Sequence, residues 1–399
     1  IYRPVQMKIK INTCNLLSII VLCVVALFEF SGYQQVLLYT AVPLAFVLAY
    51  MGSTHRKLDN KFLKTYIYLI VWIAFTCITA TYLNLAVDQV KRLIGCLFFV
   101  LSIYWNSTNL KCIRLLYFSY ICYYIAMMYF TINNPLFAHF DYTSERLNME
   151  KLNSNTIAYF TFFLTYVLYV MPSLFNNEWI KRLFRGLFIL TIPLSFIIAI
   201  LTASRQVLIV QIPLIVFLSY IRYFWYSSPI KKLLLCASVV IVFLLFLPNV
   251  ISVYDNSMLA QRSSMDSKED IRAELIWKAI SLGFQNPLLG VGPGNYGMVV
   301  YGEKTFSHNS YTEVFANNGL PGLIFYVIML VSFCKTQWKR YKLTHDIGIV
   351  SFLVFGLIYA LYNMFYVFYT SPWLISIFFI VVMHSELYYK NKRLVSHEI

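Results

Sequence analysis

The sequence predicts an all-α integral membrane protein of about twelve spanning helices, with both termini cytoplasmic and one large extracytoplasmic loop that carries a short amphipathic helix. Three observations predict it. The composition is 60% apolar and only 12% charged, with a mean hydropathy of +0.67 over 399 residues, against about 45–50% apolar and about 25% charged in an average soluble protein. Apolar runs long enough to cross a bilayer recur along the whole chain. Lysine and arginine alternate between rich and poor loops. The first observation excludes a soluble globular enzyme, a disordered chain, a collagen-like fibre and a coiled coil.

Twelve runs approach the ~20 apolar residues that a spanning helix needs. They are 12–31, 35–52, 63–82, 88–104, 113–132, 155–175, 185–201, 205–221, 231–248, 309–333, 347–366 and 371–389. The first reads as a span and not as a cleaved signal peptide, because it is long and no small-residue cleavage site follows it. With a cytoplasmic N-terminus, 22 of the 32 lysines and arginines fall on inside segments and 10 on outside ones, and the excess holds at each inside loop. That is the positive-inside pattern. The net charge of +15 is therefore a topological signal, and a nucleic-acid partner is not expected. All eight cysteines lie in or beside apolar runs, with no CxxC and no Cys/His cluster, so neither a disulfide framework nor a metal site is expected.

The chain reads as a single polytopic domain, 1–399, with a smaller outside loop at 133–154 and a large one at 249–308. A loop this long in a protein otherwise folded into lipid is usually functional. It holds five basic and six acidic residues, so its cations are individually placed and do not form a patch. Within it, Ile271, Leu275, Ala279 and Ile280 recur at helical spacing. Ser267, followed three residues on by Asp270, resembles a capping box. Together they predict a helix over about 269–283, lying on the outer face with its apolar stripe towards the bundle. The stretch Gln285-Asn-Pro-Leu-Leu-Gly-Val-Gly-Pro-Gly-Asn-Tyr-Gly297 must be a tight irregular loop. It lacks the lysine of a nucleotide P-loop.

Three outer residues carry candidate chemistry. Arg205, in Leu201-Thr-Ala-Ser-Arg-Gln206, sits between two apolar helices joined by almost no loop. With Thr202 or Ser204 as cap, it falls in the first turn of the next helix, where free N–H groups and a guanidinium form an anion site suited to phosphate. The plainer reading is an interface arginine reaching to lipid headgroups. Arg272 begins the loop helix beside Asp270 and Glu274, and reads either as a second anion contact or as a solvated ion-paired face. His308, in Phe306-Ser-His-Asn-Ser-Tyr-Thr-Glu313, offers an imidazole that can take a proton from an attacking hydroxyl, with Glu313 placed to orient it. A structural role is the alternative, and His139 in the smaller loop is the other outside histidine. Arg146, Lys91, Arg92, Asn309 and Glu313 are further candidates to touch a substrate.

These features together resemble the bacterial O-antigen ligase and O-antigen polymerase superfamily of polytopic membrane glycosyltransferases. The matching stretches are Asn153-Ser-Asn-Thr-Ile-Ala158, Thr202-Ala-Ser-Arg205, Arg272-Ala-Glu-Leu-Ile-Trp277, Asn286-Pro-Leu-Leu-Gly-Val-Gly-Pro-Gly-Asn-Tyr296 and Ser307-His-Asn-Ser-Tyr-Thr-Glu-Val-Phe-Ala-Asn-Asn-Gly-Leu-Pro-Gly322. The resemblance implies a polyprenyl-diphosphate-linked glycan as donor and a glycan or lipid-linked acceptor. It implies Arg205 and Arg272 on the diphosphate and His308 as the base, in an inverting transfer that needs no metal and no cofactor. It places the protein in the bacterial inner membrane, with its site on the periplasmic face, in surface polysaccharide or lipopolysaccharide synthesis. The absence of an added acceptor module leans the reading to a polymerase over a ligase acting on lipid A core. The rival from another class is a lipid-linked oligosaccharide transporter. That would place ionisable groups at the bilayer midplane, whereas here they cluster at the outer face.

Overall fold

The computed structural model describes residues 11–54, 57–138, 140–144, 147, 154–225, 227–264 and 271–397. The described chain is helical throughout. In order, the α-helices are α1 (Thr13–Phe28), α2 (Gln34–Tyr39), α3 (Ala41–Gly52), α4 (Lys61–Phe75), α5 (Leu83–Asn106), α6 (Leu110–Ile132), α7 (Pro135–Ala138), α8 (Ser154–Val170) and α9 (Glu178–Thr202). They continue with α10 (Ile212–Ser219), α11 (Pro229–Asp255), α12 (Met258–Ser264), α13 (Ile271–Gln285), α14 (Tyr296–Tyr301), α15 (Ser310–Thr344), α16 (Ile347–Tyr362) and α17 (Pro372–His397). Wide π-turns at Val207–Gln211 and Tyr220–Phe224 flank α10. Helix starts follow a common local rule. Asn12, Asn60, Asn109, Asn177 and Asn309 precede α1, α4, α6, α9 and α15, and each side-chain oxygen accepts a backbone N–H of the first turn, the strongest kind of N-cap.

Eleven of the twelve apolar runs fall on one helix or on a pair of consecutive helices, and 205–221 falls on α10 with the π-turns on either side of it. Among the described residues, seven segments are long and apolar enough to cross a membrane: Gln34–Gly52, Lys61–Thr79, Leu110–Ile132, Asn155–Leu174, Glu178–Thr202, Ser310–Thr344 and Pro372–Arg393. Thr13–Phe28, Ile209–Phe224 and Ile347–Tyr362 are apolar but shorter. Seven is fewer than the expected twelve for reasons visible in the residues. α1 and α16 have only 16 residues each, and α5 carries Asp88, Lys91 and Arg92 near its start. The large loop also differs from expectation. α11 runs on to Asp255, past the expected loop start at Asn249, and most of the remainder is α12, α13 and α14.

The core is aromatic. Tyr159, Phe163, Tyr359, Tyr362 and Phe368 are all fully buried, and their rings meet at centroid distances of 5.3–5.9 Å in the tilted and edge-on contacts that such rings favour. The segment containing α8 is almost wholly enclosed. Apolar side chains such as Leu17, Ile20, Val24 and Leu27 on α1 point outwards, which suits a lipid-facing surface and would be costly in water.

One long helix is two. Within α15, Gly319 has φ 68° and ψ −173°, so Ser310–Asn318 and Leu320–Thr344 are separate rods. The break follows from Asn318-Gly-Leu-Pro321: Pro321 has no N–H for the Asn317 carbonyl, and only glycine tolerates this backbone region readily. The loop 286–292 takes up the released groups. Val291 N–H donates to Ala316 O at 3.0 Å and Gly292 N–H to Asn317 O at 2.9 Å, while Leu320 N–H donates to Pro287 O at 2.7 Å. The Trp72 indole donates to Asn318 O at 2.8 Å. A Cβ on Gly319 would collide with the Leu288 carbonyl, and one on Gly290 with the Asn317 backbone. The two most distinctive stretches of the sequence are thus mating halves of one joint.

Candidate active site

His308 sits just before the short rod Ser310–Asn318, with φ 56°, an uncommon conformation for a residue with a Cβ. Both neighbours are pinned. Ser307 N–H donates to Glu313 Oε2 at 2.6 Å, and Ser307 Oγ donates to Asn309 O at 3.0 Å. Asn309 Oδ1 accepts the N–H groups of Tyr311 and Thr312 at 2.9 and 3.2 Å. Glu313 is buried, and its second oxygen accepts Asn317 Nδ2 at 2.9 Å. Glu313 and Asn309 therefore fix the backbone on either side of a half-buried imidazole. Strained backbone held by surrounding structure clusters at functional sites. Among the described residues only Ala203, His308 and His345 combine a side chain with positive φ.

Ala203, two residues before Arg205, is the second of these. α9 ends on it with φ 45°, and Ser204 N–H turns back to Ala199 O at 3.1 Å. Arg205 then opens the next helix, as expected, and is partly exposed. The Ser204 hydroxyl donates to Asn155 Oδ1 at 3.1 Å and accepts Gln206 Nε2 at 2.9 Å, which ties the turn to the first residues of α8. Both long loops gather here. Leu147 N–H donates to Leu201 O at 2.9 Å, Met258 N–H donates to Tyr142 O at 3.0 Å, and α12 packs on α9.

Arg272 lies at the start of α13, which runs over 271–285, close to the expected 269–283. The expected capping box at Ser267 and Asp270 lies outside the described residues. The buried stripe is Leu275, Ala279, Leu282 and Gly283, which packs on α15 with Gly283 against the Phe315 ring. Leu275 and Ala279 are as expected, but Ile271 is 72% exposed, because the contact with Phe315 sits at the far end of the helix and turns the stripe towards Leu282. At 100° per residue Arg272 shares the angular range of Ala279 and Gly283, the side facing α15. It is half-buried.

Two contact chains connect these places. From one turn after Arg272, Leu275 O accepts the Tyr296 hydroxyl at 2.6 Å, Tyr296 N–H donates to Asn317 Oδ1 at 2.8 Å, and Asn317 holds Glu313, which holds Ser307 beside His308. From the other side, the His308 ring meets Phe306 at 4.4 Å, Phe306 meets Tyr366 at 5.7 Å and Tyr366 meets Tyr159 at 5.0 Å. The Tyr159 hydroxyl donates to Phe365 O at 2.9 Å and lies 3.2 Å from Gln206 Oε1, next to Arg205.

A cavity of about 750 Å³ opens at the same end of the bundle, lined by Lys91, Arg92 and Glu313 together with Glu29, Lys304 and Tyr366. Arg205, Arg272 and His308 are not among its lining residues; Phe306 and Tyr366 form the wall on their side. Lys91 pairs with Asp88 at 3.3 Å on the rim. Arg146 and His139 lie outside the described residues. Sequence reasoning passed over Glu29, Lys304, Phe306, Tyr366 and Tyr159. Glu29 carried a legible signal, being a lone carboxylate at the end of an apolar run, whereas the aromatics look like any core residue until the fold juxtaposes them.

No curated protein matches the chain significantly. Residues 188–327, the interval holding Arg205, α13, the 286–292 joint and His308, match the family model described as O-antigen ligase. The multiple apolar helices agree with a multi-pass membrane protein. Over that interval, about a third of the chain, the protein is thus similar to the O-antigen ligase family, within a chain of multiple apolar helices.

Proposed function

We propose that the protein is an inverting glycosyltransferase that moves a glycan from a polyprenyl-diphosphate carrier to an acceptor hydroxyl at the extracytoplasmic face of the bacterial inner membrane. The observation that carries this reading is the strained, doubly pinned His308, reached by contact chains from the neighbourhoods of Arg205 and Arg272. In this reading the acceptor oxygen attacks the anomeric carbon and passes its proton to His308. The bond from that carbon to the diphosphate oxygen breaks, and its electron pair stays on the diphosphate. Arg205 and Arg272 neutralise that charge. A lipid diphosphate is already a good leaving group, so no protonating acid and no metal is required. Passing a growing chain to a new lipid-linked repeat is the polymerase form of this reaction, and transfer to lipid A core is the ligase form.

The test is purified protein in lipid nanodiscs with a synthetic polyprenyl-diphosphate oligosaccharide and EDTA. A product ladder is expected for a polymerase, and a single adduct on added lipid A core for a ligase. His308→Ala should lower turnover by about 10²–10⁴-fold with donor affinity unchanged, and Arg205→Ala should weaken donor binding. Full turnover by His308→Ala would remove the base from the mechanism, and uptake of intact donor into sealed vesicles without any new glycosidic bond would favour the transporter.

A further inference from the structure

The cavity beside Phe306 and Tyr366 is separate from the residues assigned to the diphosphate, and its chemistry is different. We infer that it seats sugar rings of an oligosaccharide and is not an anion site; this rests on the transferase reading for its biological sense, though not for its chemistry.

By formal count its cations and carboxylates are matched. Lys91, Arg92 and Lys304 line it together with Glu29, Asp88 and Glu313. Lys91 is already paired with Asp88, and Glu313 is engaged by Ser307 and Asn317. The other polar groups of the lining are a mixed set of Glu29, Arg92 and Lys304, with the amides of Gln34 and Gln89. A diphosphate needs a net excess of cationic donors. A polyhydroxylated ring needs donors and acceptors side by side, since each hydroxyl both gives and takes a hydrogen bond. The cavity also exposes aromatic surface. Tyr39 is 45% exposed on its edge, and Phe306 and Tyr366 are half-buried in its wall. Flat apolar faces next to convergent polar groups match the C–H face and hydroxyl rim of a pyranose. About 750 Å³ lies within the roughly 300–1,000 Å³ of small-molecule sites, and holds a short oligosaccharide in preference to a single unit. Phe306 touches the His308 ring on one side and lines the cavity on the other. A glycan seated here would thus lie across the Phe306 ring from the imidazole.

The experiment uses the full chain in nanodiscs and saturation-transfer NMR with lipid-free oligosaccharides cut from the surface polysaccharide of the cell that makes it, alongside inorganic diphosphate. Glu29→Gln and Tyr39→Ala, checked for unchanged melting, are expected to weaken oligosaccharide binding about tenfold while leaving diphosphate affinity as it was. Oligosaccharide affinity unaltered in both variants, diphosphate affinity falling in step with it, or no saturation transfer to sugar protons in the wild type would each overturn the inference. A second arm identifies the source of the sugar. Displacement of the oligosaccharide by intact lipid-linked donor assigns the seat to the donor's glycan, and simultaneous binding assigns it to the acceptor's. Sugar binding without any transfer in the nanodisc assay would remove the transferase reading and leave the seat standing. Transfer in a protein whose oligosaccharide affinity ignores both variants would do the opposite.

Discussion

Gly319→Ala tests the joint between the 286–292 loop and the broken helix. Two costs add at this position. The backbone at φ 68° and ψ −173° costs a residue with a Cβ about 1–3 kcal/mol. The new methyl would also strike the Leu288 carbonyl, which belongs to the backbone and cannot rotate away. Relief requires the loop to lift, releasing the bonds Val291 to Ala316, Gly292 to Asn317 and Leu320 to Pro287, each worth about 0.5–1.5 kcal/mol net. The full loss is therefore about 2.5–7.5 kcal/mol. Two controls separate the costs. Gly302 has φ 73° with open space around it, so Gly302→Ala should lose only the left-handed penalty of about 1–2 kcal/mol. Gly186 lies in α9 with nothing near its missing Cβ, so Gly186→Ala should be neutral or gain about 0.5–1 kcal/mol. Thermal unfolding of the three variants in the same nanodiscs should rank them in that order. Gly319→Ala melting no lower than Gly302→Ala would refute the joint as a stabilising element.

The pedestal under His308 makes two further expectations. Glu313→Gln leaves one acceptor where Ser307 N–H and Asn317 Nδ2 both donate, so it should cost about 1–3 kcal/mol of stability and slow turnover while the donor dissociation constant stays put; loss of donor affinity with normal turnover would count against a positioning role. Asn309→Ala removes the cap of the short rod and should cost about 0.5–2 kcal/mol, with Asn309→Asp restoring most of it, as read by melting temperature.

The helices were legible because their signals are local. Apolar run length and an asparagine at the start are written in consecutive residues, and they mark α4, α6 and α9. α13 was legible for the same reason, since Leu275 and Ala279 repeat at helical spacing. Ile271 fits that spacing and is nonetheless exposed, because which stripe is buried depends on Phe315, more than forty residues away in the chain. The break at Gly319 was hidden inside an apolar run whose Asn-Gly-Leu-Pro reads as a family motif before it reads as a hinge. The cavity was the least legible feature. Its walls come from α1, α2, α5, Gly294, the 304–306 segment, Glu313 on α15 and the 366–373 turn, and no short-range pattern joins seven such pieces. Arg205 and His308 could be singled out because each interrupts an expected local pattern, a charge in a nearly absent loop and an imidazole at a helix start.

The mating of the 286–292 loop with residues 316–320 also constrains how the protein can change. The two segments exchange backbone bonds in both directions, so neither can drift in length or register alone without orphaning groups on the other. A chimera built to swap glycan preference between relatives should exchange them as one cassette, from Asn286 to Gly322. A crossover placed between the two would join unmatched halves and disturb both α13 and the approach to His308 at once.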